Sequence, residues 1–253
     1  MNPGPEKRPL GTRWCKTGIT LAVIAAVLTL AGIGGGRTGT LSGLAAFFAF
    51  GLGALLFAVA IVANLVGLAI SKGTAGDASA RNAVISLVAG VAVIGAAMSQ
   101  RPDSAAAPAI HDLTTDLADP PEFVAILPRR ADAPNPPEYL DDGTAEQQRA
   151  AFPDLVTLSI GLPVDEVFAA AEQVVGELDW ELVASEPGDG RIEATDTTYW
   201  FGFKDDVVIR VRGNANGTAV DVRSKSRVGR GDMGANAARI RAFLDSLSGK
   251  TGA

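Results

Sequence analysis

The polarity pattern changes character close to residue 100. Before it, apolar residues run in long unbroken stretches, roughly Thr17–Ile33, Leu41–Ile70 and Ala83–Met98. A bilayer crossing takes about 20 apolar residues, with a range of about 17–25. Three such stretches in series predict a transmembrane anchor of three helices over residues 1–100, with spans at about 17–33, 41–70 and 83–98. The second stretch exceeds the required length and can tilt. The third is at the short end, with Arg81 and Arg101 placed to snorkel.

Beyond the anchor the apolar positions become sparse and then periodic. Residues 101–154 are rich in Pro, Ala and Asp, and RPDSAAAPA reads as a tether. The stretch IHDLTTDLADPPEFVAIL mixes the apolar residues Ile110, Leu113, Phe123, Val124 and Ile126 with four acids. It reads as an irregular segment that packs on the following domain. The prolines at 120–121, 128, 134 and 136–137 exclude a long helix. A short helix fits Thr144–Ala151.

Residues 155–253 carry the pattern of a compact domain. A strand is expected over Leu155–Ile160, and Pro163 opens a helix with Asp165 and Glu166 in its first turn, where the dipole favours anions. Val164, Val167, Phe168, Ala171, Val174, Val175 and Leu178 recur at helical spacing. Strands follow at Trp180–Ser185, Arg191–Thr198, Asp206–Arg212 and Thr218–Arg227, the last two flanking the turn Gly213–Gly217. Trp200 and Phe201 read as core and turn, with Gly202 allowing a tight bend. Asp232 is a plausible N-cap for a final helix in which Met233, Ala237, Ile240, Leu244 and Leu247 share one face. The order β-α-β-β-β-β-α predicts an α+β fold, an antiparallel sheet with helices on one face.

Alternation assigns the faces of the last hairpin. Val207, Ile209, Val211, Val220 and Val222 point to the core, and Arg210, Arg212, Asp221, Arg223, Lys225 and Arg227 point away from it. Charge follows the same division. Lys204–Arg241 holds nine basic and four acidic residues, a net of plus five, while Arg101–Phe203 holds five basic and twenty-one acidic, a net of minus sixteen.

Charge around the apolar stretches sets an expected orientation. Lys7, Arg8, Arg13 and Lys16 precede the first, Lys72 and Arg81 separate the second from the third, and Arg37 lies between the first and second. By the positive-inside rule the N-terminus is cytoplasmic. Three crossings then place the domain outside an inner (plasma) membrane, in the periplasm or its equivalent. A cleaved signal peptide over Gly18–Ile33 is the competing reading and leaves the domain on the same side. The stretches hold no Asp, Glu, Lys or Arg in their interiors, which argues for an anchor and against an ion pathway. Asn64, within the second, suits a hydrogen bond between helices. The single cysteine, Cys15, leaves no disulfide or thiol chemistry for the domain.

The stretches FGFKDDVVIRVR, VDVRSKSRVGRGDMGANAARIRAFL and IHDLTTDLADPPEF closely resemble a family of bacterial and plastid proteins, domain-of-unknown-function family 1499. The resemblance covers Ile110–Leu247. It implies that the His-Asp segment belongs with the folded domain and that membrane spans often precede it. It carries no established activity, and the positions it marks include His111, Asp112, Asp116, Arg210, Arg223, Arg227, Asn236 and Arg239.

Two chemistries are weighed on these residues. Guanidinium groups in fork geometry suit carboxylates and phosphates, so Arg210, Arg212, Arg223 and Arg227, with Arg239 and Asn236, form a candidate anion-binding set. An anionic lipid or envelope component is the expected partner beside the bilayer itself. The bland reading is an internal ladder, with Asp221 facing a hairpin arginine and the acidic segment around His111, Asp112 and Asp116 lying across the face. The alternative is an envelope enzyme using His111 with Asp112 or Asp116, but a chain with one histidine is a thin basis for a metal or hydrolase site. Ser224 and Ser226 fall on the core side of their strand, and no GxSxG elbow appears. No cofactor and no metal are expected. The net acidity excludes nucleic acid as a natural partner. A non-enzymatic binding or structural role is the expectation.

Overall fold

The structure is a computed structural model and describes residues 10–71, 77–99, 107–140 and 142–253. The flanking charges Lys7, Arg8, Lys72 and Arg101, and the start of the tether at 101–106, lie outside the described residues. The chain forms two units, Met1–Arg101 with Tyr199–Gly202, and Pro102–Thr198 with Phe203–Ala253.

The first unit is built on α1 (Leu10–Thr38), α2 (Gly43–Ser71) and α3 (Asp77–Ser99). Among the described residues, α1 and α2 are the helices long and apolar enough to cross a membrane. The expected three-helix anchor is therefore corrected to two candidate spans: α3 forms, but the apolar stretch Ala83–Met98 is shorter than a crossing of about 17–25 residues. In each span 28% of the apolar window is buried. Val27, Leu30, Phe48 and Leu55 are all exposed, an outward apolar surface that a helix in a soluble core would not keep.

Small residues bring α1 and α2 together. A Cβ added to Gly67 would lie 2.9 Å from the Cys15 backbone nitrogen, and one added to Gly32 would lie 2.7 Å from the Ala46 carbonyl. This is close backbone packing of the kind small residues permit between apolar helices. Asn64 donates from Nδ2 to Ser86 Oγ at 3.2 Å, the expected polar link, and it joins α2 to α3. Within this same unit, the Phe201 ring meets those of Phe47 and Phe50 edge-on.

The second unit is α+β. Its sheet has the order β1-β6-β5-β4-β3, with β2 also pairing to β6. The strands are β1 (Asp112–Thr114), β2 (Leu158–Ile160), β3 (Glu181–Glu186), β4 (Arg191–Thr197), β5 (Lys204–Asn214) and β6 (Gly217–Ser226), and all pairings are antiparallel. β1 and β2 share one edge of β6, opposite Arg223–Lys225 and Thr218–Val220 respectively. The helices are α4 (Thr144–Ala151), α5 (Val164–Glu177) and α6 (Ala235–Thr251).

Alternation of apolar residues places the main core between the sheet and α5 and α6. Val207, Ile209, Val211, Val220 and Val222 meet Val167, Phe168, Ala171, Val174, Ile240 and Phe243. Trp180 stacks on Phe243 with ring centroids 5.8 Å apart. The β5–β6 hairpin turns at Asn214–Gly217. Gly217 has φ +132, and a Cβ there would meet the Ile160 carbonyl at 2.3 Å, so a side chain would clash with β2.

Several expected elements shift. The segment read as irregular contributes the short strand β1, and the predicted strand Leu155–Ile160 contracts to Leu158–Ile160. The last helix starts at Ala235 with Gly234 as N-cap. Asp232 still serves the helix start, its carboxylate accepting from the Gly234 and Asn236 N–H groups at 2.8 and 2.7 Å. Met233 precedes the helix with φ 54 and is exposed, so it leaves the predicted apolar face.

Candidate functional site

The sheet face opposite α5 and α6 is covered by the chain between β1 and α4. Phe123 and Ile126 from this segment pack on Val208, with Val183 beside them. The buried Glu193 of β4 anchors it, accepting backbone N–H groups of Val124, Ala125 and Ile126 at 2.9–3.1 Å. Around this small apolar patch the hairpin arginines are each engaged.

Arg210 and Arg212 form the first cluster. Register sets Arg210 opposite Asp221. Arg210 reaches Asp221 Oδ2 at 3.1 Å, Asp116 Oδ2 at 3.0 Å and Asp119 Oδ2 at 2.9 Å. Arg212, side chain 46% exposed, donates to Asp221 Oδ2 at 2.9 Å. The fully buried Asp221 also accepts from the hydroxyls of Thr115 and Thr157 at 3.3 and 2.5 Å.

Arg223 forms the second cluster and is fully buried. It grips Asp112 with Nε and Nη2, both at 2.9 Å, in the two-point geometry a guanidinium favours. Its remaining hydrogen bonds go to the Pro121 and Pro137 carbonyls at 3.1 and 2.8 Å. The Phe123 ring lies 4.8 Å from the guanidinium carbon. Lys225, also buried, reaches Asp112 Oδ2 at 2.9 Å and donates to the Glu138 carbonyl at 2.6 Å. Burial lowers the Lys225 pKa, working against the pull of Asp112.

The third cluster centres on Asp206. It accepts from Arg130 at 2.5 Å, from Arg227 at 2.8 and 2.7 Å, and from Thr195 at 2.8 Å. Arg130 comes from the short 3₁₀ turn Leu127–Arg130, and its burial lowers its pKa despite the carboxylate alongside. Arg130 also donates to the Asn135 carbonyl at 3.2 Å.

Arg239 and Asn236 belong to a different network, beneath α6. Arg239 donates to Asp196, Asp205, Ser224 and Asn236 at 2.6–3.1 Å. Burial opposes its charge, but Asp205 and Asp196 outweigh that and raise its pKa. Asn236 donates from Nδ2 to the His111 carbonyl at 3.2 Å and to Ser226 Oγ at 3.0 Å. The candidate set thus divides: Arg210, Arg212, Arg223 and Arg227 share the covered face, and Arg239 and Asn236 do not. His111 contributes its backbone, its carbonyl also accepting the Ser226 N–H at 2.9 Å. Its two carboxylate neighbours in the enzyme reading are committed, Asp112 to Arg223 and Lys225, Asp116 to Arg210. Sequence reasoning missed Arg130 and Glu193, while Asp206 is among the positions the family resemblance marks. Glu193 sits on a charged, alternating strand that carried the signal, whereas Arg130 lies among prolines with no periodicity to read.

Fold and site together define a class: an α+β domain whose arginine-bearing sheet face is closed by its own upstream acidic segment, preceded by two helices of membrane-crossing length. The chain belongs to the family described as Protein of unknown function (DUF1499), which matches residues 112–247. That span begins at β1, so the covering segment is part of the family's domain. Neither the curated proteins nor the solved structures include a match to the chain.

Proposed function

We propose that this chain is a membrane-anchored, non-catalytic protein whose arginine-rich sheet face is a staple. In this reading the arginines hold the 112–140 segment on the sheet, and the outer surface of that segment is what the domain presents. The observation that carries it is Arg223: buried, it bonds a carboxylate and two carbonyls, all from the covering segment. A buried guanidinium with four of its five donors spent in this way has little left for a headgroup. The second reading, recognition of an anionic lipid or envelope component, draws on Arg212, which is half-exposed.

Thermal unfolding of the full chain in neutral-lipid nanodiscs, with Arg223→Ala and Asp112→Asn beside wild type, tests the staple. Both variants are expected to lose several kilocalories per mole, about 3–5 kcal/mol for a broken buried pair. Neither should change affinity for anionic-lipid vesicles. Unaltered stability with lost vesicle binding would overturn the staple in favour of recognition.

The anchor reading extends to topology. Two crossings return the chain to the side from which it entered. Arg13 and Lys16, with Lys7 and Arg8, put that side in the cytoplasm by the positive-inside rule. On this two-crossing reading the domain is cytoplasmic at an inner membrane, and a third crossing by α3 would instead give the extracytoplasmic placement expected from sequence.

A further inference from the structure

Arg191 opens β4 and stands directly opposite Arg210 in the β4–β5 ladder. Like charges opposed on neighbouring strands repel. The two arginines are neutralised unequally. Arg210 has three aspartates, as described above. The Arg191 side chain makes no hydrogen bond among the described residues: Glu193 Oε1 lies 3.3 Å from its Nε and Asp189 Oδ2 3.6 Å from its Nη2, and its buried Nε, like that of Arg210, has no hydrogen-bond partner. Glu193 has already committed both oxygens to the backbone of 124–126. Asp189 is 71% exposed. The Arg191 side chain itself is 16% exposed, so its charge is largely withdrawn from solvent without a full set of partners.

Both arginines line a cleft of about 370 Å³, within the range of about 300–1,000 Å³ for small-molecule sites. Val208, Val124, Pro120 and Pro121 supply apolar walls, and Asp119, Glu122 and Asp189 supply acidic groups. Asp119 is spent on Arg210, and Glu122 is exposed.

We propose that this cleft binds a small monocarboxylate, its two oxygens on the Arg191 guanidinium and its apolar body against Val124 and Val208. A carboxylate matches the guanidinium fork. The acidic groups select for a single negative charge, because the second charge of a phosphate would face Glu122 and Asp189 at close quarters. The site rests on the staple reading, since Asp119, Pro120, Pro121, Glu122 and Val124 belong to the segment the staple holds, but Arg191 itself takes no part in holding Asp112, Asp206 or Asp221.

Equilibrium dialysis of labelled isovalerate against the full chain in neutral-lipid nanodiscs tests it, with inorganic phosphate as competitor. Saturable binding is expected, with about tenfold or greater weakening in Arg191→Gln, the loss of a charged hydrogen-bonded contact. Val124→Trp, which fills the cleft from a half-exposed position, should block binding while leaving the unfolding midpoint in place. Absence of saturable isovalerate binding to wild type overturns the proposal. So does equal binding by wild type and either variant, and so does displacement of isovalerate by an equal concentration of phosphate.

Discussion

Replacing Asp206 by asparagine removes the one carboxylate that Arg130 and Arg227 share. The Arg130 side chain is 1% exposed and Asp206 is 0% exposed, so the arginine left behind has almost no access to solvent. Breaking a buried ion pair from one side costs about 3–5 kcal/mol, mostly the penalty of the stranded charge. Arg130 falls within that range, because its side chain is buried and only backbone carbonyls, of Lys225, Asn135 and Ser226, remain for it. Against a whole-domain stability of about 5–15 kcal/mol, such a loss is decisive. With a urea dependence of about 2 kcal/mol per molar, the midpoint should fall by about 2 M. Urea unfolding of the full chain in nanodiscs, with Trp14 and Trp200 replaced by Phe so that the near-ultraviolet tryptophan signal is that of the buried Trp180, reads this directly.

The partner arginine supplies the internal control. Arg227 is 16% exposed and can turn toward solvent, so Arg227→Ala should cost less, about 1.5–3 kcal/mol for a charged hydrogen-bonded contact. Arg130→Met in the Asp206→Asn background removes the stranded charge, and the double variant should lose about 1–3 kcal/mol less than the sum of the singles. Two results would refute the reasoning: a cost for Asp206→Asn below about 0.5 kcal/mol, the level of an ordinary surface change, or strict additivity of the two substitutions.

Two further outcomes are expected. Glu193→Gln leaves a neutral group under the N–H groups of Val124, Ala125 and Ile126, so amide exchange at these positions should accelerate while β5 stays protected; unchanged exchange would show that the anchor lies elsewhere. For topology, a C-terminal alkaline phosphatase fusion should be inactive and a fluorescent-protein fusion bright, and the reverse pair would return the domain to the far side of the membrane.

Much of the fold was legible because its signals are periodic. The hairpin, its two faces, the helix at Thr144–Ala151 and the helix opened by Pro163 all follow from spacing and from proline chemistry. The strand β1 was not legible. Three residues are too few to show alternation, and its pairing with Arg223–Lys225 is a long-range choice made by Asp112. Met233 was misplaced because a residue at positive φ interrupts the helical count that its side chain otherwise fits. The third apolar stretch misled for another reason: at Ala83–Met98 it is shorter than the about 17–25 residues a bilayer crossing takes. At the site, charge counting foresaw that an acidic segment meets the arginines. It could not say which acid meets which arginine, because that depends on the path of a proline-rich chain with no repeat to follow.

The grip of Arg223 on Asp112 joins residues 111 positions apart. The order of synthesis gives that distance a meaning in time. The ribosome delivers the covering segment well before β6, at about 5–20 residues per second, so the segment waits on the order of ten seconds for its arginines. During that interval Phe123 and Ile126 have no sheet to cover them, and α1 and α2 are already available to the bilayer. The domain is therefore closed from its far end, and the nascent chain is most vulnerable to misassociation just before its last hairpin emerges.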